Sequence, residues 1–309
     1  MRTRVTLAVS MLLACSRTSE PSTTAAPVAV EADAAPVAVE ASAAVTATDA
    51  GVARRVLRVC ADPNNLPFSN ERREGFENAL ATLIAGELDA DVEYTWWAQR
   101  RGFFRNTLKA GLCDVVMGVP AGFELTATTR PVYRSSYVFV RRGADGERAL
   151  GSFDDARLRS WRVGVHVIGD DYANSPPVHA LSRRGIVDNV VGYRLLGDYS
   201  LDNPPARAID GVVAGEVDVA IVWGPIGGYF AKRAGRPLVI EPVQAREDDV
   251  IPLEYAIALG VRRDDRALRD ELDAVVERRA GDIRKLLARF DVPLVEEDVR
   301  RPAGKGGTR

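Results

Sequence analysis

Segments typical of buried strands alternate with helical segments along residues 54–298, and this alternation limits the possible folds more than any other feature. Residues 114–119 are nearly all apolar, as in a parallel strand buried on both faces, whereas the apolar spacing within residues 76–88 is helical. We predict strands at 56–61, 92–97, 114–119, 137–140, 162–165, 190–196, 217–223 and 255–261, and helices at 76–88, 102–110, 177–184, 204–214 and 267–290. Such an order predicts an α/β fold.

The alternating pattern occurs in two blocks that echo each other. Residues 110–116 resemble residues 214–220, since both segments carry a helix-ending glycine followed three residues later by an aspartate that precedes a strand. Residues 54–298, about 245 in all, are enough for one large domain or two lobes. We therefore predict two doubly wound lobes with a cleft between them.

The N-terminus has the features of an export signal. Arg2 and Arg4 precede an apolar run at residues 5–14, which is too short to span a bilayer but suits a signal-peptide core. Ala14 and Cys15 end this run and resemble a lipobox, so residues 1–14 are predicted to be a lipoprotein signal peptide and Cys15 the lipidated residue. The alternative is an ordinary signal peptide that contains a cysteine. Two or three acyl chains would give stable membrane anchoring, and we expect no other membrane contact.

Residues 15–53 and the C-terminal residues are predicted to be disordered. The first segment lacks aromatic residues, and its octapeptide at 25–32 recurs at 34–41. Two such copies are too short for a solenoid, so we interpret residues 15–53 as a lipidated cysteine followed by an Ala/Pro-rich linker. Residues 299–309 are predicted to be a disordered tail.

Composition and motifs argue against several classes of protein. The formal net charge of -2 gives no reason to expect nucleic acid as a partner. His166 and His179 are the only histidines and lack a metal-ligand spacing, and residues 224–228 are not followed by the lysine of a phosphate loop. No serine or cysteine nucleophile motif occurs either. We therefore predict no metal, no cofactor and no catalytic residue.

The layout resembles the type II periplasmic binding proteins, within solute-binding protein family 3. The resemblance rests on residues 62–68, Gly75-Phe76-Glu77, the two Gly-x-x-Asp turns and the late strand, and it covers essentially all of residues 54–298. It implies two crossovers between the lobes, near residues 139–143 and 251–256. Lobe one is then residues 54–141 plus 254–298, and lobe two is residues 142–253.

Five separated stretches carry a narrower resemblance, at residues 62–70, 94–103, 118–124, 203–207 and 222–225. They are similar to the quinoprotein-dehydrogenase-associated binding proteins, relatives of the J proteins of methanol dehydrogenase clusters. The resemblance implies a non-catalytic periplasmic accessory protein of a PQQ-dependent methanol or alcohol dehydrogenase system, including lanthanide-dependent ones. The implied partners are the dehydrogenase, its cytochrome c, or both, and a small-molecule ligand is possible.

The resemblance also implies that the usual amino-acid ligand has been lost. Amino-acid-binding members hold the carboxylate with an arginine after the third strand and the ammonium with an aspartate after the central strand of lobe two. Here the first position holds Leu125 or Thr126, depending on a one-residue gap, and the second holds Trp223. Arg130 could replace only the missing arginine. An amino acid would lose two charge-assisted contacts of about 1.5–3 kcal/mol each.

We expect the site in the cleft, at the carboxyl ends of the strands. Arginine beside tryptophan suits a planar acidic ligand or a protein hot spot, although one tryptophan could simply pack in the core while the arginines are solvated. Polar side chains in the loop after the first strand could bind a ligand or only cap turns, and the lobe-two residues could merely fill space. The predicted cleft residues are Asp62, Asn65, Phe68, Trp96, Trp97, Arg100, Arg101, Gly118, Pro120, Trp223, Gly224 and Pro225.

Cys60 and Cys113 leave two readings open. Two cysteines in an oxidising compartment suggest a disulfide. In the family's fold the first and third strands are parallel neighbours, which places Cys60 opposite Val116 and Cys113 about 10 Å further along the strand. That distance exceeds the reach of a disulfide unless a bulge shortens it.

The sequence leaves two alternative functions open. The first is an ABC-transporter receptor for a small solute other than an amino acid, which would keep a closed, polar pocket. The second is an enzyme of the dehydratase type, for which Glu124 is the one acid near the cleft.

Overall fold

A computed structural model describes residues 54–143, 148–168, 173–196, 199–244 and 251–296. The predicted signal peptide, Cys15, the linker and the C-terminal tail lie outside these residues. Within the described ranges, no helix is both long enough and apolar enough to cross a membrane.

Twelve strands and seven helices are present in the described part of the chain. The strands are β1 Arg55–Ala61, β2 Asn64–Asn65, β3 Ser69–Asn70, β4 Ala90–Trp96, β5 Val115–Pro120, β6 Ala127–Arg141, β7 Val163–Ile168, β8 Ala173–Asn174, β9 Val190–Arg194, β10 Val219–Trp223, β11 Val239–Pro242 and β12 Glu254–Val261. The helices are α1 Phe76–Glu87, α2 Phe103–Asn106, α3 Pro176–Arg183, α4 Arg207–Ala214, α5 Gly224–Arg233, α6 Arg266–Arg278 and α7 Ala280–Arg289.

The 15-residue strand β6 joins two groups of strands into one path, β4-β1-β5-β12-β6-β10-β7-β8. Strands β1, β4 and β5 pair in parallel, as do β7, β9 and β10, whereas β6 and β12 run antiparallel to their neighbours. On β6, Ser136 faces Glu254 of β12, and the next residue, Tyr137, faces Trp223 of β10. The predicted α/β class is confirmed, and β6 belongs to both strand groups.

Helices cover the sheet on both faces, which explains why its central strands β5 and β10 are apolar in almost every position. In lobe one, α1, α6 and α7 bury side chains such as Leu80, Val275 and Leu286 in one core. In the second half of β6, side chains alternate between two cores: Phe139 packs into one, and Val138 and Val140 into the other.

Two of the predicted helices differ in extent from those in the structure. The helix expected at 102–110 is only the four-residue α2, because the chain turns at Thr107, where Leu112 N–H donates to the Thr107 carbonyl. The helix expected at 267–290 is two helices that meet at Arg279, whose guanidinium binds Glu87 at 2.6 Å and Asp282 at 2.8 Å.

Helix α5 is absent from the prediction because its glycines lower helical propensity. The structure explains one of these glycines by close packing against the chain just after α7. A Cβ atom on Gly228 would lie 1.9 Å from the Asp291 carbonyl oxygen.

Cys60 and Cys113 form a disulfide with a Cα–Cα distance of 5.5 Å. The predicted register is correct, since Cys60 lies opposite Val116. The argument against a bond was wrong because β5 begins only at Val115: Cys113 is not on the strand, and Asp114 N–H turns to donate to the Arg58 carbonyl at 2.7 Å. Both cysteines are buried with Phe103, Leu108 and Val116.

Replacing both cysteines, as Cys60→Ala with Cys113→Ala, is expected to lower the free energy of unfolding. The bond closes a loop with a sequence separation of 53, and restricting a loop of that size in the unfolded chain is worth about 4 kcal/mol. Urea unfolding monitored by circular dichroism measures the change. Dithiothreitol should destabilise the wild type but not the double variant. Equal urea midpoints for the wild type and the double variant without reductant would contradict the disulfide assignment.

Candidate functional site

The loop after β1 is held to the loop after β4 by the buried carboxylate of Asp62. Its two oxygens accept the backbone N–H groups of Asn64 at 2.8 Å and Gln99 at 2.7 Å. Burial raises the pKa of Asp62, while the two N–H donors and the charge of Arg100 oppose the shift. Asp62 therefore shapes the rim of the cleft, and both of its oxygens already accept hydrogen bonds.

One hydrogen bond crosses from lobe one to lobe two at this rim. The Asn64 side-chain amide donates to the backbone carbonyl of Leu201 at 2.7 Å. Behind it, Asn65 Nδ2 donates to Gln99 Oε1 at 3.0 Å, which leaves the buried Asn65 Oδ1 without a partner. On the lobe-two side, Asn203 Oδ1 is also buried without a partner. The rim therefore offers acceptor atoms from both lobes.

A pocket of about 450 Å³ lies beside this bridge. Lobe one and lobe two both line it, and the lining residues are Pro63, Asn64, Asn70, Glu71, Arg72, Tyr199, Leu201 and Asp202. Burial raises the pKa of Tyr199 to about 12, and the neighbouring Asp62 adds to the shift. The pocket is thus a space between the two lobes that is lined by both polar and apolar groups.

The segment after β4 places Trp97, Arg100 and Arg101 at the surface. Trp97 is 41% exposed, and its backbone N–H donates to the Ala61 carbonyl at 2.9 Å. Trp96 is half-buried and stacks on Tyr94, with ring centroids 4.5 Å apart. The two tryptophans therefore differ in environment, although Trp96 keeps part of its surface open.

Phe68 helps to close the N-terminal end of α1. Its ring packs on Phe76 with centroids 5.3 Å apart, and its carbonyl accepts the Glu77 N–H at 2.9 Å. The Pro67 carbonyl accepts the Phe76 N–H at 2.8 Å. These first N–H groups of the helix are used within the chain, so they do not await an anionic ligand.

The side chain of Glu77, on α1, packs against Gly118 of β5. A Cβ atom on Gly118 would lie 2.2 Å from Glu77 Oε1, so only glycine allows the carboxyl group to occupy this space. Burial alone raises the pKa of Glu77 to about 8. A neutral carboxylic acid therefore packs against β5 at neutral pH.

Trp223 lies where the strands cross between the lobes, beside three tyrosines, Tyr133, Tyr137 and Tyr255. We call these four residues the crossover aromatic cluster. The ring centroids of Tyr137 and Tyr255 lie 5.3 and 5.9 Å from Trp223. Burial and the nearby Glu77 raise the pKa of the Tyr133 hydroxyl, and the neighbouring Trp223 indole opposes the shift. The indole thus takes part in side-chain packing at position 223, where the resemblance to amino-acid-binding proteins implies an aspartate.

The remaining predicted residues border this cluster or the end of β5. Gly224 and Pro225 are buried at the start of α5, and a Cβ on Gly224 would lie 2.5 Å from Ser135 Oγ. Pro120 is exposed at the end of β5, opposite Ile257.

Two further residues do not serve the roles considered for them. Arg130 binds Asp273 at 3.0 Å and Glu277 at 2.7 Å on α6, so it is not a free replacement for the missing arginine. Glu124 is exposed. Among the residues that the structure describes, no group of three or more potential ligands is placed to hold a metal ion.

Several predicted residues thus fall in two groups: a rim with Asp62, Asn65 and Arg100, and a floor with Gly118, which packs against Glu77, and Trp223, which lies near Tyr133. Sequence reasoning missed several participants, which are Gln99, Tyr133, Tyr137, Tyr199, Leu201 and Tyr255. The even spacing of Tyr133 and Tyr137 on one strand places both on the same face and could have indicated a shared surface.

Solved structures define the class of the protein. The periplasmic binding protein XoxJ from Methylobacterium extorquens AM1 matches with 34% identity and a TM-score of 0.64 over 78% of this chain and 100% of that chain. MxaJ from Methlophaga aminisulfidivorans MPT matches with 26% identity and a TM-score of 0.67, over 77% and 100%. An ancestral cationic amino acid solute-binding protein shares the fold, at 20% identity and a TM-score of 0.60 over 76% and 95%. The fold is therefore that of the type II periplasmic binding proteins, as predicted.

Curated relatives define the family. Protein MoxJ of Methylorubrum extorquens is 30% identical over 249 residues, 78% of this chain and 82% of the relative. Protein MoxJ of Paracoccus denitrificans is 28% identical over 258 residues, 77% and 89%. The chain belongs to the MoxJ family. No protein-family profile matches it.

Removing the buried acid with Glu77→Gln is expected to flatten the dependence of stability on pH. The folded chain holds this proton more tightly than the unfolded chain, because the pKa is about 8 in the fold against an ordinary 4.5. The contribution of Glu77 to stability should therefore be greatest below pH 4.5 and fall as the pH rises toward 8, by up to about 1.4 kcal/mol per pH unit.

Urea unfolding at a series of pH values compares the two proteins. Asp62→Asn is the comparison variant: burial also raises the pKa of Asp62, but two backbone N–H donors oppose the shift, so removing this carboxylate should flatten the curve less than Glu77→Gln does. If the free energy of unfolding changed with pH in parallel for the wild type and Glu77→Gln, the pKa of Glu77 would not be raised in the folded chain.

Proposed function

We propose that this chain is a non-catalytic periplasmic binding protein that acts as an accessory to a PQQ-dependent methanol or alcohol dehydrogenase system. It binds a partner protein or a ligand through the cleft between its lobes. The partners are the dehydrogenase, its cytochrome c, or both.

The packing of Trp223 carries the proposal. At this position the side chain that would hold an ammonium group is replaced by an indole packed against Tyr137 and Tyr255. Arg130, the one candidate for the carboxylate, is held by α6. A free amino acid therefore lacks both charged partners, while the fold remains that of a binding protein.

Membership of the MoxJ family supports a role beside a dehydrogenase rather than in transport. The five sequence stretches that resemble dehydrogenase-associated binding proteins include the Asp62 loop, the Trp97 segment and Trp223. These stretches lie at the rim and floor of the cleft, which is where a binding protein contacts what it binds.

Export and anchoring complete the proposal. The relatives of known structure include a periplasmic binding protein, and the N-terminal residues have the pattern of a lipoprotein signal with Cys15 as the lipidated residue. We propose a periplasmic protein tethered to a membrane through lipid on Cys15, with residues 15–53 as the spacer.

A transporter receptor for a small solute other than an amino acid is the second candidate. The 450 Å³ pocket beside the Asn64–Leu201 bridge favours it, because this volume is within the range of small-ligand sites and both lobes line it. A gene neighbourhood with a permease and an ATPase would support this candidate, and one with a quinoprotein dehydrogenase and a cytochrome c would support the first.

Isothermal titration calorimetry of the purified chain tests the two candidates together. We expect no heat from any of the twenty amino acids and measurable binding of the quinoprotein dehydrogenase purified from the same organism. Micromolar binding of a free amino acid would overturn the accessory role, because it would show that the cleft still holds a zwitterion. Adding the dehydrogenase's cytochrome c in a separate titration identifies which component is bound.

A further inference from the structure

Residues 97–112 form an exposed basic segment. Arg100, Arg101, Arg105 and Lys109 are all exposed, and the segment contains no aspartate or glutamate. We call the surface made by these four side chains, with Trp97 and Leu112, the basic face.

These four cations lack the counterions that other cations of lobe one have. Arg58 and Arg262 both bind Asp114, at 2.7 and 3.1 Å, and Arg55 binds Glu271 at 2.6 Å. In the described part of the chain, by contrast, the four side chains of the basic face make no ion pair. The contact of Arg105 is a 3.5 Å hydrogen bond to its neighbour Asn106.

Two large apolar side chains border the cations. Trp97 is 41% exposed and Leu112 is 52% exposed. Between them, Phe103 and Leu108 are buried in the core that contains the disulfide. The face therefore combines tryptophan and arginine at its surface, the composition that is enriched in protein hot spots.

The basic face is held in place although it contains only one short helix. The Cys60–Cys113 disulfide fixes its far end to β1, and the Thr107 hydroxyl donates to the Phe103 carbonyl at 2.7 Å. A segment fixed in this way loses little conformational freedom when a partner binds.

The basic face is continuous with the rim of the cleft. The charge of Arg100 acts on both Asp62 of lobe one and Tyr199 of lobe two. The basic face and the rim are also joined directly, since the N–H of Gln99, the residue before Arg100, donates to Asp62 at 2.7 Å.

We propose that the basic face is the docking surface for an acidic patch on a folded protein partner, an inference that rests on the accessory role proposed for the chain. Unpaired arginines attract carboxylates and can bind them through two hydrogen bonds, while Trp97 supplies the apolar contact. An anionic membrane also attracts basic side chains, but it fits less well because Phe103 and Leu108 are buried, which leaves Trp97 and Leu112 as the large exposed apolar side chains for insertion.

The test measures binding of the full chain to the quinoprotein dehydrogenase of the same organism, and separately to its cytochrome c, over a range of salt concentrations. The variant replaces the four cations, as Arg100→Gln, Arg101→Gln, Arg105→Gln and Lys109→Gln. The matched control replaces four exposed arginines elsewhere, as Arg159→Gln, Arg183→Gln, Arg284→Gln and Arg289→Gln. Circular dichroism and melting temperature show that each variant is folded.

We expect the four-cation variant to bind at least about tenfold more weakly at low salt and with a shallower dependence on salt, while the control resembles the wild type. Unchanged affinity in the folded four-cation variant overturns the basic face and leaves the accessory role intact. A wild type that binds neither protein overturns the accessory role, and this inference with it.

Vesicles containing phosphatidylglycerol distinguish the membrane alternative, with Cys15→Ser in every protein so that no lipid is attached. We expect no difference between the four-cation variant and the control in this assay. Vesicle binding that is lost only in the four-cation variant would assign the face to lipid and overturn the protein partner.

Discussion

The sharing of strand β6 between two groups of strands is the constraint on which the rest of the structure depends. Up to Ser136 it hydrogen-bonds with β12, and from Tyr137 it hydrogen-bonds with β10 and β11. Because one continuous strand serves both groups, its side chains near the change of partner lie at the boundary between the lobes. Tyr133 and Tyr137 occupy that boundary, and Trp223 packs against Tyr137 there. The crossover aromatic cluster is therefore a consequence of the topology.

The candidate site combines this apolar floor with a polar rim. At the floor, Trp223 packs with tyrosines and Glu77 is kept neutral by burial, so there is little fixed charge. At the rim, Asp62 and Asn64 organise two loops and reach across to lobe two, and the pocket beside them is lined by polar groups of both lobes. The exposed positive charge lies further out, on the basic face. This distribution differs from a site built around a buried zwitterion, and it supports recognition of a partner by its surface.

Much of the fold could be predicted from the sequence, because the buried parallel strands are apolar runs whose type does not depend on detailed packing. The register of β1 against β5 was also predictable, and Cys60 lies opposite Val116 as expected. The disulfide could not be excluded by counting residues, since a turn before β5 brings Cys113 back toward β1. Helix α5 was missed because its glycines look unfavourable until the close approach of Asp291 to Gly228 is known. The surface position of Trp97 and Arg100 could be predicted, because both follow a strand. Tyr199 and Leu201 could not, since their place opposite the Asp62 loop depends on how the two lobes meet.

The hydrogen bond between Asn64 and Leu201 is asymmetric in what it requires of each lobe. Lobe one contributes a side-chain amide, whereas lobe two contributes only a main-chain oxygen. Any amino acid at position 201 presents the same oxygen, so mutation there can alter the shape and polarity of the lining without removing the link. Position 201 can therefore change without loss of the contact, while the contact itself is encoded by a single asparagine.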